Sequence, residues 1–100
     1  MPKGYWIVRV DVKNPEGYKA YQAANREVLH KYGAKFLVRG GKQEALEGHA
    51  RARTVVIEFK DYATAQDCYR SLKYHLTISL REPHSDADFL IVEGYDGPQP

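Results

Sequence analysis

One hundred residues, 43% of them hydrophobic and 28% charged, make a chain sized for a single globular domain. The net charge of +2 is too slight to mark a polyanion binder, and the single cysteine, Cys68, excludes an internal disulfide and fits a reducing, cytoplasmic setting. The N-terminal Met-Pro-Lys-Gly has no apolar signal region, no stretch reaches the length of a membrane span, and so small a domain gains from burying surface against a partner.

Residues 5–12 alternate as a strand, with Trp6, Val8, Val10 and Val12 on one face and Tyr5, Ile7, Arg9 and Asp11 on the other. A helix follows over 15–32. Asn14 is its N-cap, Pro15 takes the first helical position, Glu16 complements the helix dipole and Gly33 suits a left-handed C-terminal cap. Its apolar stripe is Tyr18, Tyr21, Val28, Leu29 and Tyr32. A second strand is expected over 35–40, broken or bent by Gly40-Gly41, then a ragged hairpin over 42–53 with Gly48 in its turn. The third strand, 54–59, alternates Val55, Ile57 and Phe59 against Thr54, Val56 and Glu58. Asp61 caps a helical region over 61–81, which Pro83 ends. Two forms of that region are open: one continuous stripe of Ala65, Tyr69, Leu72, Leu76 and Leu80, or a break near Ser71 and a second stripe of Tyr74, Ile78 and Arg81. A last strand is expected over 89–95, and the domain over 1–96 with a flexible tail at 97–100.

Two strand–helix–strand units in tandem imply right-handed crossovers and an α+β, ferredoxin-like βαββαβ sandwich. Its four antiparallel strands would lie in the order 4-1-3-2, with the helices on one face.

Several stretches together resemble one family: Gly4-Tyr5-Trp6-Ile7-Val8-Arg9-Val10-Asp11-Val12, Tyr18-Lys19-Ala20-Tyr21, Lys31-Tyr32-Gly33, Phe36-Leu37-Val38-Arg39-Gly40-Gly41, Leu46-Glu47-Gly48, Val55-Val56-Ile57-Glu58-Phe59 and Ile91-Val92-Glu93-Gly94-Tyr95. The chain is similar along nearly its whole length to a bacterial domain-of-unknown-function family of the dimeric α+β barrel superfamily. The resemblance implies a homodimer whose two sheets meet as a barrel, and no established activity. Superfamily relatives include cofactor-free monooxygenases, muconolactone isomerases and haem-degrading enzymes, an analogy of fold alone. The family often carries Ser-Pro-Glu-Tyr within the second helical region, where this chain has Ser71-Leu72-Lys73-Tyr74.

With Trp6, Phe36, Ile57 and Val92 taken to face the helices, the open sheet face would carry Arg9, Arg39, Glu58 and Glu93 among Ile7, Leu37, Val56 and Ile91. Such a quartet has two readings. It is a ligand pocket, in which arginine holds a carboxylate or enolate and a desolvated Glu58 or Glu93 acts as general base. Or it is a paired ion network at a dimer interface, which is what buried charges usually form. Asn25, inside the apolar stripe, is a second candidate. It either lines a small pocket walled by Tyr21, Tyr69 and Trp6, or bonds to backbone or tyrosine hydroxyls. Tyr18, Tyr21, Tyr32, Tyr62 and Tyr69 supply core area first.

His30, His49, His75 and His84 show no helical ligand spacing and no Cys-x-x-Cys occurs, so neither a metal nor a cofactor is expected. Cys68 reads as a small core residue. Gly40-Gly41 lacks a phosphate-loop fingerprint, and the central strands lack the exposed aromatics of an RNA-binding sheet. The expected protein is thus a small homodimer that binds or transforms a small anionic or enolisable molecule, by cofactor-independent oxygenation or isomerisation if it is an enzyme. The alternative is a non-catalytic ligand-binding or protein-interaction module.

Overall fold

A computed structural model describes residues 2–100. β1 (Gly4–Val12) leads into α1 (Pro15–Lys31), β2 (Lys35–Arg39) and β3 (Arg53–Phe59). α2 (Tyr62–Arg70), α3 (Leu72–Arg81), a single 3-10 turn (Glu82–His84) and β4 (Ser85–Glu93) complete the chain. The strands form one antiparallel sheet in the order β2-β3-β1-β4, the ferredoxin-like arrangement that the tandem units imply.

The caps act as their residue types dictate. Asn14 Oδ1 accepts from the Gly17 N–H at 3.3 Å and Asp61 Oδ1 from the Thr64 N–H at 2.7 Å, so each helix start has a side-chain partner. Gly33 turns the chain out of α1 at φ 70°. The second helical region does break at Ser71. Without proline, its backbone extends to ψ 148° and its hydroxyl caps α3 by accepting from the Tyr74 N–H. The break rotates the apolar face: Tyr74 is fully buried and Ile78 packs on the core, while Leu72 and Leu76 are 75% and 65% exposed.

The core lies between the helices and one sheet face: Trp6, Val8 and Val10 from β1, Val55, Ile57 and Phe59 from β3, Tyr18, Tyr21, Val28 and Leu29 from α1, and Ala65, Cys68 and Tyr74. Trp6 is its hub. The ring centroids of Phe59, Tyr74 and Phe89 lie 4.9–5.0 Å from it, and its indole N–H donates to the Ala65 carbonyl at 2.9 Å. Tyr21 and Tyr74 share a buried hydroxyl–hydroxyl hydrogen bond of 2.6 Å.

Three expectations are corrected. β4 begins at Ser85 rather than 89 and ends at Glu93 rather than 95. The segment 42–53 is no hairpin, for among the described residues 40–52 form no strand. The facing also differs from the one expected, along the whole of β4 and in β2 beyond Phe36. Trp6 pairs with Ile91, and Gly4 with Glu93, so Ile91, Phe89 and Glu93 take the helix side and Leu90 and Val92 the open side. A bulge between Phe36 and Val38 shifts β2, so Val38 sits opposite Val56 on the open face while Arg39 sits opposite Val55 on the helix face.

Candidate functional site

The bulge decides where the arginines go. Arg9 and Glu58 do share the open sheet face, but Arg39 and Glu93 do not, and the expected quartet does not assemble. Arg9 stands opposite Thr54 and Glu58 opposite Tyr5, four residues apart along the strands, a separation of about 13 Å. Each has another partner. Arg9 lies 4.0 Å from Asp88, and Glu58 accepts from the Tyr5 hydroxyl at 3.1 Å. Partial burial, then the Glu58 carboxylate, raise the Tyr5 phenol above its usual range.

At the other end of this face the loop before β3 is tied down. Arg51 donates to Asp11 and to Asp88, each at 2.9 Å, and the Ala52 N–H donates to Asp11 at 2.8 Å. The Ala52 N–H and then Arg51 hold the Asp11 carboxyl below its ordinary range, and Arg51 does the same for Asp88. These charges satisfy one another, an architectural arrangement. Between the two ends, Ile7, Val38, Val56, Leu90 and Val92 lie on the side that no helix covers.

Arg9, Asp11, His49, Arg51 and Asp88 line a recess of about 280 Å³ at the tied-down end of the open face, and a larger groove lies on the other side, where α1 crosses the edge of the sheet. A groove of about 390 Å³ runs between α1 and β2, lined by Gln22, Asn25, Arg26, Leu29, His30, Ala34, Phe36 and Arg39. Its floor continues into a narrow apolar slot of about 40 Å³ bounded by Trp6, Tyr21, Phe36, Ile57 and Phe89. Asn25 opens onto both compartments, and the bond to backbone or tyrosine hydroxyls that was the other expectation for it is not made. Its amide is half-buried and has no hydrogen-bond partner among the described residues. Arg39 also borders both compartments. Its guanidinium stacks over the Phe36 ring at 4.3 Å, a cation–π contact, and pairs with no carboxylate among the described residues.

Trp6 and Tyr21 are walls as expected. Tyr69 is not: its ring packs on Phe89 at 4.9 Å and Tyr74 at 5.3 Å, outside the groove. Sequence reasoning missed Gln22, Arg26 and His30. Their signal was available, because positions 22, 26 and 30 recur every four residues beside the apolar stripe and so form its polar shoulder. Glu58 and Glu93 do not line the groove. Among the described residues no group of three His, Cys, Asp or Glu side chains gathers as a metal site, and no helix is long and apolar enough to cross a membrane.

Comparison with known proteins places this architecture. The family described as Domain of unknown function (DUF1330) matches residues 3–95. The chain belongs to that family. No curated protein matches it. Among solved structures, a protein of unknown function from Rhodopseudomonas palustris, RPA0582, is 16% identical with a TM-score of 0.73, over 96% of this chain and 85% of that one. A dimeric ferredoxin-like protein of unknown function from Thermobifida fusca is 10% identical with a TM-score of 0.62, over 92% and 91%. SnoaB, a cofactor-independent oxygenase from Streptomyces nogalater, is also 10% identical, with a TM-score of 0.64 over 100% and 97%. At these identities the likeness is one of fold, and this DUF1330 chain shares the ferredoxin-like sandwich with all three.

Proposed function

We propose that this protein is a homodimeric α+β barrel whose protomers each bind a small organic anion, aromatic or enolisable, in the groove between α1 and β2. The observation that carries the binding reading is the pairing of Arg39 with Asn25. A cation without a carboxylate and a half-buried amide without a partner border the same groove, above an apolar floor. A guanidinium takes a carboxylate or enolate bidentately, the amide both donates and accepts, and the slot beneath receives an apolar ring edge. Binding is favoured over carboxylate-driven proton transfer because Glu58 and Glu93 lie off the groove.

The dimer is supported by the five uncovered aliphatic side chains of the open face and by the dimeric neighbour of the same fold. Buried, unpaired Cys68 suits a reducing, cytoplasmic compartment.

Native mass spectrometry of freshly purified protein reads subunit number and co-purifying ligand together. Thermal shift with benzoate, salicylate and 2-oxoglutarate then tests the groove. Stabilisation that disappears in Arg39→Gln and Asn25→Leu, with both variants folded, is the expected result. Stabilisation unaffected by either change refutes the groove as the site.

A further inference from the structure

Groove and slot continue past Gln22 into a third compartment. Gln22 borders all three, and beyond it lies a recess of about 220 Å³ lined by Val12, Pro15, Tyr18, Lys19 and Arg53. Arg53 is two residues from Val55, the partner of Arg39, so both arginines rise from the same face of the sheet edge. Their guanidinium groups diverge. That of Arg39 reaches back over Phe36. That of Arg53 lies forward against the α-carbon of Gly40, where any added Cβ would collide with it. Phe36 pairs with Ile57 and the Gly40 N–H donates to the Thr54 carbonyl, three residues away along β3, which puts the two cations on the order of 10 Å apart.

Arg53 is as lacking in partners as Arg39. It pairs with no carboxylate among the described residues, and its Nε is buried without a hydrogen bond. A buried donor of that kind costs free energy unless a partner arrives. The neighbouring Tyr18 phenol is raised by burial and opposed by the charges of Arg53 and Arg81. Glu16, next in sequence to Pro15, is held 3.2 Å from Lys19 on the exposed side of α1.

We propose that the groove takes a dianion, an elongated dicarboxylate with an aromatic or unsaturated spacer, with one carboxylate on Arg39 and the other on Arg53. This rests on the anion-binding reading of the groove and adds the second charge and the length. Gln22 lies at the middle of the span, and the apolar slot receives the spacer.

Calorimetric titration with biphenyl-4,4′-dicarboxylate, biphenyl-4-carboxylate and terephthalate tests it. The long dianion should bind about ten- to a hundredfold more tightly than the monoanion, the range for one added charge-assisted pair. Terephthalate, whose carboxylates are closer together than the two cations, should bind less tightly than the long dianion. Arg53→Gln should reduce the dianion to the monoanion's affinity and leave the monoanion unchanged, whereas Arg39→Gln should weaken both. Equal binding of the long dianion and the monoanion to the wild-type protein overturns the proposal while leaving a single-anion groove standing. Failure of all three acids to bind overturns the groove reading as well. The wild-type comparison decides the matter even if Arg53→Gln does not fold.

Discussion

Gly4→Ala is the most severe small change this fold predicts. Gly4 opens β1 where the strand passes the start of α2. A Cβ there would lie 2.6 Å from the Asp61 carbonyl carbon and 2.7 Å from the Tyr62 α-carbon, and closer still to the Asp61 oxygen. Carbon atoms settle at about 3.5–4.0 Å, so strand and helix must separate by roughly 1 Å. No flexible side chain can yield, because all three obstacles are backbone atoms. The displacement also stretches the 2.9 Å bond from the Trp6 indole to Ala65, one turn into α2. Overpacking costs about 1–3 kcal/mol and the lost buried hydrogen bond a similar amount, so the expected loss is about 2–6 kcal/mol. That is a large share of the roughly 5–15 kcal/mol of a typical domain, and lowers Tm by on the order of 10–30 °C. Thermal unfolding at fixed protein concentration, read by fluorescence of Trp6, the one tryptophan of the chain, measures the effect at the point of strain. Gly41→Ala, where a Cβ meets nothing within 4 Å, is the control and should be nearly neutral. A loss below about 1 kcal/mol in Gly4→Ala would refute the close approach of β1 to α2.

Ile7, opposite Val56 and Leu90 on the open face, should be covered by the partner, so Ile7→Asp should give a folded monomer by light scattering. A wild-type monomer at micromolar concentration would end the dimer reading. Burial pushes the Cys68 thiol up to about 12, so it should stay silent to a disulfide reagent at pH 8 and react only in denaturant. Prompt reaction of the native protein would contradict that burial. Asp11 and Asp88, through Ala52 and Arg51, and Asp61, through Thr64, all titrate below the ordinary 3.8 in the folded chain. A depressed folded value means stability present above 3.8 and lost as pH falls through the folded values. Tm should therefore hold from pH 7 to 5 and fall below 4. Asp61→Asn, which keeps the cap, should flatten part of that fall, and an unchanged acid limb would show that Asp61 does not contribute.

Elements whose signals are local were legible in the sequence. Asn14-Pro15, Gly33 and Asp61 mark helix ends through backbone chemistry that neighbours cannot override. The facing of β1 and β3 was equally plain, because polar and apolar residues alternate there. β4 was ambiguous: Phe89, Leu90, Ile91 and Val92 are apolar on both faces, and period-two reasoning has no contrast to use. The aromatic ring of Phe89, drawn into the cluster around Trp6, settles the facing only in three dimensions. The candidate site was legible on α1, where helical spacing places Asn25. It was illegible on β2, where one extra residue inverts every later side chain and Leu37 carries no mark of a bulge. Ser71 shows the reverse case, a helix break kept by a hydroxyl cap where proline is absent.

The same extra residue has a consequence for solubility. The sheet has two free rims: β2 carries Lys35 and Arg39, while β4 carries Asp86 and Asp88, already paired with Lys13 and Arg51, and Glu93. An unpaired rim is a template for another strand, and joining β2 of one molecule to β4 of the next is a head-to-tail contact, which grows into a fibre wherever its rotation does not close a ring. The irregularity between Phe36 and Val38 bends the basic rim out of ladder register and so denies it a neighbour. Removing Leu37 would straighten that rim and move Arg39 to the opposite face. A chain so shortened should lose its anion groove and begin to sediment as polymer together, two failures from one residue, both visible in a single ultracentrifuge run with and without ligand.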